Sequence, residues 1–331
     1  MKNQSFSRLM ITACWILLIV VFGVSQGTGQ ATDDNSFLDK SLITSGFIGA
    51  ELYYDNIDQS TINIVLKKMI DCSSQEELET EEVTIHNSDM KSFHSNVKLE
   101  LQSSNEIKSE NNYSCLNEKS CIKELIYQAN VELGMQGGGY DITWGYGFLN
   151  NAVLNLNPMS QQGFILTNHV ADPWTAPMNK GGKLASKPMH ELCFENENQL
   201  KLELTDEDGD YVSIRVIPAS SHMAVKSIDY YQDPLVKSPK ISEEKSFLTQ
   251  CPPFKEVKYS ESFAGIKPLG QNGSTFSKKE KTLTVQPDLP GKYLAAFEIN
   301  EFRDKIKLGS HQAIIILDIG NNSFQSQNDQ F

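Results

Sequence analysis

The sequence is poor in basic residues. It contains 29 Lys and Arg against 42 Asp and Glu, which gives a formal net charge of −13 and a pI near 5.0. Nucleic acids and anionic membrane surfaces attract proteins through clustered Lys and Arg side chains. The composition therefore predicts no nucleic-acid partner, and it leaves membrane contact only to an apolar segment at the N-terminus.

The chain also lacks the motifs that bind phosphate groups or zinc. No G-x-x-x-x-G-K or G-x-G-x-x-G motif is present, and no two of the six histidines have the spacing of zinc ligands. Three consecutive glycines at 137–139 are not followed by a helical pattern, so they predict a turn. We therefore predict a protein that is not an enzyme, with no catalytic and no cofactor-binding residue.

Helical periodicity is almost absent, and only residues 117–126 suggest a short helix. Elsewhere apolar residues recur at every second position, which is the period of a strand. Many short strands separated by Gly, Pro, Asn and Asp are typical of β-sandwiches. We predict an all-β fold with two β-sandwich domains. The alternating rows are Ile62, Ile64 and Leu66; Val97, Leu99 and Leu101; Leu200, Leu202 and Leu204; Val212, Ile214 and Val216; Leu283 and Val285; Tyr293, Ala295 and Phe297; and Ala313, Ile315 and Leu317.

One long apolar run lies at the N-terminus. Lys2 and Arg8 precede residues 9–24, which are apolar except for Thr12 and Gly23. This layout is typical of a secretory signal peptide. As a helix the run spans about 24 Å, less than the roughly 30 Å of a bilayer core. We therefore predict a signal peptide at residues 1–31 and export to the cell surface, the extracellular space or the periplasm. If it is not cleaved, the segment would tether a periplasmic protein to the membrane.

The remaining length suffices for two domains of ordinary size. A Pro- and Gly-containing stretch at 173–187 has no strand period, which indicates a linker with a boundary near Gly182. This places an N-terminal β-rich domain at 32–182, a β-sandwich domain at 183–320 and a disordered polar tail at 321–331. The acidic stretch 75–82 is predicted to be a solvated loop.

Five cysteines remain once Cys14 is removed with the signal peptide: Cys72, Cys115, Cys121, Cys193 and Cys251. Because their number is odd, at least one stays unpaired or pairs between chains. Cys115 and Cys121 are near enough in sequence to close a small loop, but spacing alone does not fix the pairing.

Residues 206–210 form the sharpest local feature, and we call them the acidic turn. They are Asp206, Glu207, Asp208, Gly209 and Asp210, between two alternating rows. A plain hairpin turn accounts for them, because Gly209 frees the backbone and Asp side chains bond nearby amides. Carboxylates are also the ligands that Ca²⁺ prefers. The alternative prediction is a calcium site formed by Asp206, Asp208 and Asp210.

Short motifs recur in a fixed order along most of the mature chain. They are Gly49 to Tyr54; Lys68 to Cys72; Trp144, Asn150, Asn157-Pro158 and Gln162-Gly163; Pro188, Cys193 and the acidic turn; Pro252-Pro253; Pro268-Leu269-Gly270; Pro287 to Tyr293; and Glu301-Phe302-Arg303. In order and spacing these motifs resemble those of the large exported surface proteins associated with gliding motility and its secretion pathway in gliding bacteria.

The chain departs from that family at one pair of cysteines, which are Gly147 and Phe148 here. The disulfide that the family implies at this place is therefore absent. The resemblance implies an Ig-like or PKD-like sandwich at the C-terminal end and a surface or adhesive role, and it implies no catalytic residue.

Together these observations predict an exported, non-catalytic structural or adhesion-type protein of the cell surface. Its partner would be an unidentified surface or extracellular protein or a glycan. An alternative is a secreted carbohydrate-binding or hydrolase domain, suggested by Trp144, Tyr146 and Trp174, because aromatic rings can stack on sugars.

Overall fold

The computed structural model describes residues 46–74, 76–108, 121–147, 153–157, 163–172, 174–185, 191–194, 198–222, 251–270 and 273–320. Regular structure in these ranges is entirely β, which confirms the predicted all-β class. Within them, no helix is long and apolar enough to cross a membrane. The predicted signal peptide and C-terminal tail lie outside the described residues.

The described ranges contain seventeen strands. They are β1 (Phe47–Asn56), β2 (Thr61–Asp71), β3 (Thr80–Asn87), β4 (Ser92–Lys108), β5 (Cys121–Glu132), β6 (Tyr140–Tyr146), β7 (Gly163–Val170), β8 (Lys183–Leu184), β9 (Glu191–Cys193), β10 (Asn198–Lys201), β11 (Leu204–Thr205), β12 (Tyr211–Ile217), β13 (Ser220–His222), β14 (Ser274–Ser277), β15 (Thr282–Val285), β16 (Gly291–Arg303) and β17 (Ile306–Gly320). The suggested helix at 117–126 is wrong where it is described, because β5 begins at Cys121.

The main sheet closes on itself through eight of these strands. Their order is β17-β1-β2-β5-β4-β3-β6-β7, and β7 then pairs with β17 again. One edge of β17 serves both neighbours, since Ala313 to Ile315 pair with β1 while Gly309 to His311 pair with β7. Closure leaves these strands without free edges.

Side chains from all eight strands fill the inside of the closed sheet. Because strand side chains alternate between faces, every second residue of each strand enters this first core. It includes Leu52, Ile64, Ile85, Leu99, Leu125, Trp144, Phe164 and Ile314. Eight strands enclose an interior about wide enough for side chains. Residues from outside the eight strands, among them Val153, Leu156, Ala219 and Val257, complete this core.

A second core lies on the other face of β16 and β17. The three-stranded sheet β10-β15-β14 contributes Leu200, Leu283 and Val285 to it, and β12 contributes Val212 and Ile214. The facing side chains of β16 and β17 are Tyr293, Ala295, Phe297, Ile299, Ala313, Ile315, Leu317 and Ile319.

The second core extends from Leu184 to Ile319, so it begins close to the predicted boundary near Gly182. However, β16 and β17 send alternate side chains into both cores. Two separate sandwiches would each have their own strands. The predicted pair of sandwich domains is therefore not confirmed; the described strands form one closed sheet with a second layer on its outside.

The rows flanking the acidic turn are strands, as predicted, but they do not pair with each other. Instead β10 pairs with β15, β11 with β8, and β12 with β16. The predicted hairpin is therefore wrong. Alternation shows that a segment is a strand and which face is buried, but it does not identify the partner strand.

A disulfide joins Cys72 to Cys121 across 49 residues, with 5.3 Å between their Cα atoms. It connects the end of β2 to the start of β5, so the small loop from Cys115 to Cys121 is ruled out. Cys193 is also disulfide-bonded. Among the described cysteines, Cys251 has a free thiol.

Candidate functional site

The acidic turn connects β11 to β12 and has a fixed internal geometry. The backbone N–H of Asp210 donates to Asp206 Oδ1 at 2.7 Å, which closes the turn. Gly209 has a φ of +81°, a conformation that side chains disfavour, so glycine suits this position. The turn prediction for these residues therefore holds, although the strands beyond it go to different partners.

Strand pairing brings a third carboxylate to this turn. In the antiparallel register of β12 with β16, Val212 lies opposite Glu301. As a result Asp206, Asp210 and Glu301 each place one carboxylate oxygen within 4.8 Å of the others. Asp206 and Asp210 are partly buried, while Glu301 is only 4% exposed.

Arg303 neutralises one of these carboxylates. Its Nε donates to Asp210 Oδ1 at 2.9 Å and its Nη2 donates to Asp210 Oδ2 at 2.6 Å. A two-pronged contact of this kind is the strongest common form of ion pair. Both oxygens of Asp210 therefore have a donor, and the guanidinium has its pKa raised further, first by that hydrogen bond.

The other two carboxylates are less well satisfied. Glu301 Oε2 accepts a hydrogen bond from Asn179 Nδ2 at 2.9 Å. Glu301 Oε1 and Asp206 Oδ2 are buried and have no hydrogen-bond partner among the described residues. Burial raises the pKa of Glu301 to about 8; the charges of Asp206 and Asp210, and the hydrogen bond that protonated Glu301 makes with Asp210, act in the same direction, while the Asn179 hydrogen bond opposes them. Buried polar atoms without a partner are uncommon in folded proteins, so this pair needs an explanation.

Asp208, the third residue of the predicted calcium set, lies outside the cluster. Its Oδ2 accepts from the backbone N–H of Lys180 at 2.7 Å and is 3.8 Å from Arg303 Nη2. Glu207 also points to basic groups, with Lys180 Nζ at 2.8 Å and Lys183 Nζ at 3.1 Å. The structure thus brings together Asp206 and Asp210, but it replaces Asp208 by Glu301.

The alternating pattern of β16 could have identified Glu301. Tyr293, Ala295, Phe297 and Ile299 face the second core, and the same period puts Glu301 on the buried face. A carboxylate at a buried strand position requires a partner. The sequence alone could not show that the partner region is the acidic turn.

A second group of reactive side chains surrounds His86, which is fully buried. Its Nδ1 is 3.3 Å from Cys251 Sγ, and its Nε2 is 3.4 Å from Thr143 Oγ1. Burial lowers the pKa of His86 and raises that of Cys251. A nucleophilic cysteine needs a depressed thiol pKa. Both shifts favour the neutral forms of the two side chains.

The aromatic residues considered for sugar binding have different environments. Trp144 is 1% exposed and donates its Nε1–H to Glu81 Oε2 at 3.1 Å, so it belongs to the first core. Tyr146 is partly buried beside Phe47. Trp174 is 67% exposed and is the one of the three that is open to solvent.

Comparison with known proteins gives no relative: no family model matches the chain, and no curated protein and no solved structure matches it. The resemblance to gliding-motility proteins gains no support from these comparisons and stays a prediction.

Proposed function

We propose that the chain is an exported, non-catalytic structural or adhesion-type protein of the cell surface. The observation that carries the proposal is the Cys72–Cys121 disulfide, because structural disulfides form and persist in oxidising compartments outside the cytoplasm. The signal-peptide pattern of residues 1–31 supports the same compartment. The net charge of −13 also favours solubility over nucleic-acid binding.

The test is accessibility in intact producing cells. A membrane-impermeant biotin reagent that reacts with amines should label the protein through exposed lysines such as Lys201, whose side chain is 70% exposed. A cytoplasmic marker protein in the same cells should stay unlabelled. Labelling only after lysis, together with reduced Cys72 and Cys121, would contradict export.

N-terminal sequencing of the labelled protein distinguishes the two topologies. A mature chain that begins near residue 32 supports a cleaved signal peptide. A chain that retains residues 9–24 supports the periplasmic protein with an N-terminal tether.

Two narrower proposals are supported by fewer observations. The link to gliding motility depends on motif order alone. An Ig-like or PKD-like character is proposed for the second layer, where β10, β14 and β15 pack face to face on β16 and β17, as two sheets do in a sandwich.

Glycan binding is a second candidate function, favoured by the presentation of Trp174. Asp172 fixes the turn that carries this side chain, since its Oδ1 accepts the backbone N–H groups of Trp174 and Thr175, both at 3.0 Å. An exposed indole carried on a hydrogen-bonded turn is a suitable surface for stacking on a sugar ring. Specific binding on a glycan array should disappear in Trp174→Ala and persist in Tyr211→Ala, a control of equal exposure at 68%. Loss in both variants, or in neither, would argue against a Trp174 site.

A further inference from the structure

We propose that Asp206, Asp210 and Glu301 bind one Ca²⁺ ion. Each of the three offers one carboxylate oxygen, and these oxygens lie within 4.8 Å of one another. Two ligands of the same Ca²⁺ ion, at bond lengths of about 2.3–2.6 Å, are at most about 5 Å apart. The three carboxylates are therefore spaced to share an ion.

The unpartnered oxygens give independent support for a ligand at this place. Glu301 is 4% exposed, and its Oε1 is buried with no hydrogen-bond partner among the described residues. Asp206 Oδ2, from the acidic turn, is also buried and has no hydrogen-bond partner among the described residues. Leaving a buried carboxylate oxygen unsatisfied is costly, and a bound cation would satisfy both at once.

The charge of the cluster matches a divalent ion. Arg303 binds both oxygens of Asp210, and among the described residues it is the basic side chain that pairs with a carboxylate of this cluster. When all three are ionised, two negative charges remain uncompensated. One Ca²⁺ ion carries the charge that balances them.

The ligand chemistry favours calcium over a transition metal. All three side chains offer carboxylate oxygen, and the group contains no His or Cys. Hard oxygen ligands suit Ca²⁺ and Mg²⁺, whereas zinc sites mostly use nitrogen and sulfur. We choose Ca²⁺ because it accepts irregular coordination, while Mg²⁺ demands near-octahedral geometry and keeps most of its water.

The calcium site goes beyond the proposed surface role. It does not depend on export, because the ion could bind in any compartment that supplies calcium. It would fasten the acidic turn, which leads into β12, to the buried face of β16. Through Glu301 it would also hold Asn179, whose Nδ2 is 3.4 Å from the hydroxyl of Tyr54 on β1. One ion would thus connect the second layer to the closed sheet.

The experiment is a calorimetric titration of the full-length protein with CaCl₂ at neutral pH, after removal of bound metal with a chelator. We expect one site per chain with a Kd of about 0.1–1 mM, the range of extracellular calcium modules. Addition of MgCl₂ alone should give weaker binding.

Four variants separate this site from the set predicted from sequence. Glu301→Gln and Asp206→Asn should each raise the Kd by at least about tenfold, because each removes a charged ligand. Asp208→Asn is the matched control, and it should change the Kd by less than about threefold, since a charge that does not ligate acts only through a screened field. Arg303→Met should lower the Kd, because it removes a cation that competes for Asp210.

Circular dichroism confirms that each variant is folded, and Asp206→Asn at the surface turn keeps the test valid if Glu301→Gln does not fold. The proposal is overturned if the wild-type protein shows no binding at about 10 mM CaCl₂, tenfold above the weakest expected Kd. It is also overturned if Asp208→Asn abolishes binding while Asp206→Asn does not, or if Mg²⁺ binds more tightly than Ca²⁺.

Discussion

At the scale of single residues, Lys68 is a charged side chain buried inside the fold. Its side chain is 2% exposed, and its Nζ donates to Glu81 Oε1 at 3.0 Å and to the carbonyl of Glu76 at 3.3 Å. Glu81 also accepts from Trp144. Sequence composition predicted a solvated loop at 75–82, but Thr80 begins β3 and Glu81 is 8% exposed, so that prediction is wrong for this part of the stretch.

Removing one partner of this pair should destabilise the fold strongly. We expect Lys68→Met to lower the free energy of unfolding by about 3–5 kcal/mol, because it leaves the Glu81 charge buried without a cation. The double variant Lys68→Met/Glu81→Gln should recover more than half of that loss. Urea denaturation measures both.

Lys201→Met is the control for that prediction. Lys201 forms a 3.4 Å pair with Glu203 in which both side chains are more than half exposed. Its loss should cost less than about 1 kcal/mol. Equal effects of Lys68→Met and Lys201→Met would mean that the buried pair has no special role.

His86 makes stability sensitive to acid. Burial lowers its pKa from the ordinary value of 6.5, while the charge of Asp141 opposes the shift. His86 therefore binds a proton more readily in the unfolded chain than in the folded chain. Its contribution to the free energy of unfolding is fully present above about pH 6.5 and is lost as the pH falls below that value. The neighbouring titratable groups are Asp141 and Cys251.

The variant that checks this is His86→Gln. Its free energy of unfolding should depend less on pH than that of the wild type between about pH 7 and pH 5, by at most about 1.4 kcal/mol per pH unit for one proton. Carboxylates contribute to both curves, so their difference isolates His86. Parallel curves would contradict the assignment.

At the scale of elements, the disulfide connects two neighbouring strands that are distant in sequence. Cys72 also donates its backbone N–H to the carbonyl of Cys121 at 3.0 Å, so the bond continues the pairing of β2 with β5. Closing a loop of 49 residues in the unfolded chain corresponds to about 4 kcal/mol on the chain-entropy estimate.

The double variant Cys72→Ala/Cys121→Ala should therefore lose about 2–5 kcal/mol of stability in urea denaturation. Cys251→Ala provides the comparison, because its thiol is free and it should shift stability much less. A double variant as stable as the wild type would mean that strand pairing alone holds β2 to β5.

The strands were easier to predict than their partners. The alternating row Ile62, Ile64 and Leu66 lies in β2, and Leu283 and Val285 lie in β15. Alternation works because a strand with one buried face must repeat every second residue. The expected hairpin around the acidic turn failed because pairing between distant strands depends on the whole sheet. The same long-range register brings Glu301 to Asp206, so the candidate site could be predicted only in part.

At the scale of the whole molecule, β16 and β17 belong to two cores at once. Leu294 and Ile314 face the closed sheet, whereas Phe297 and Ile315 face the second layer. Because the same two strands line both cores, we expect that displacing them would disrupt the packing of both. The sequence predicts domains on either side of Gly182. A change of composition does not show that strands after this position, β16 and β17, join the same sheet as β1.

We therefore expect one cooperative unfolding transition. Leu66→Ala in the first core and Leu283→Ala in the second are matched substitutions of leucines that are 0% and 1% exposed. Each should cost about 2–5 kcal/mol, and each should lower the same melting temperature by several degrees. In scanning calorimetry the calorimetric and van't Hoff enthalpies should agree, which is the mark of a two-state transition.

Two transitions, with each variant shifting only one, would instead favour independent domains divided near Gly182. A single transition that both variants shift would mean that the two cores, which share β16 and β17, unfold as one cooperative unit.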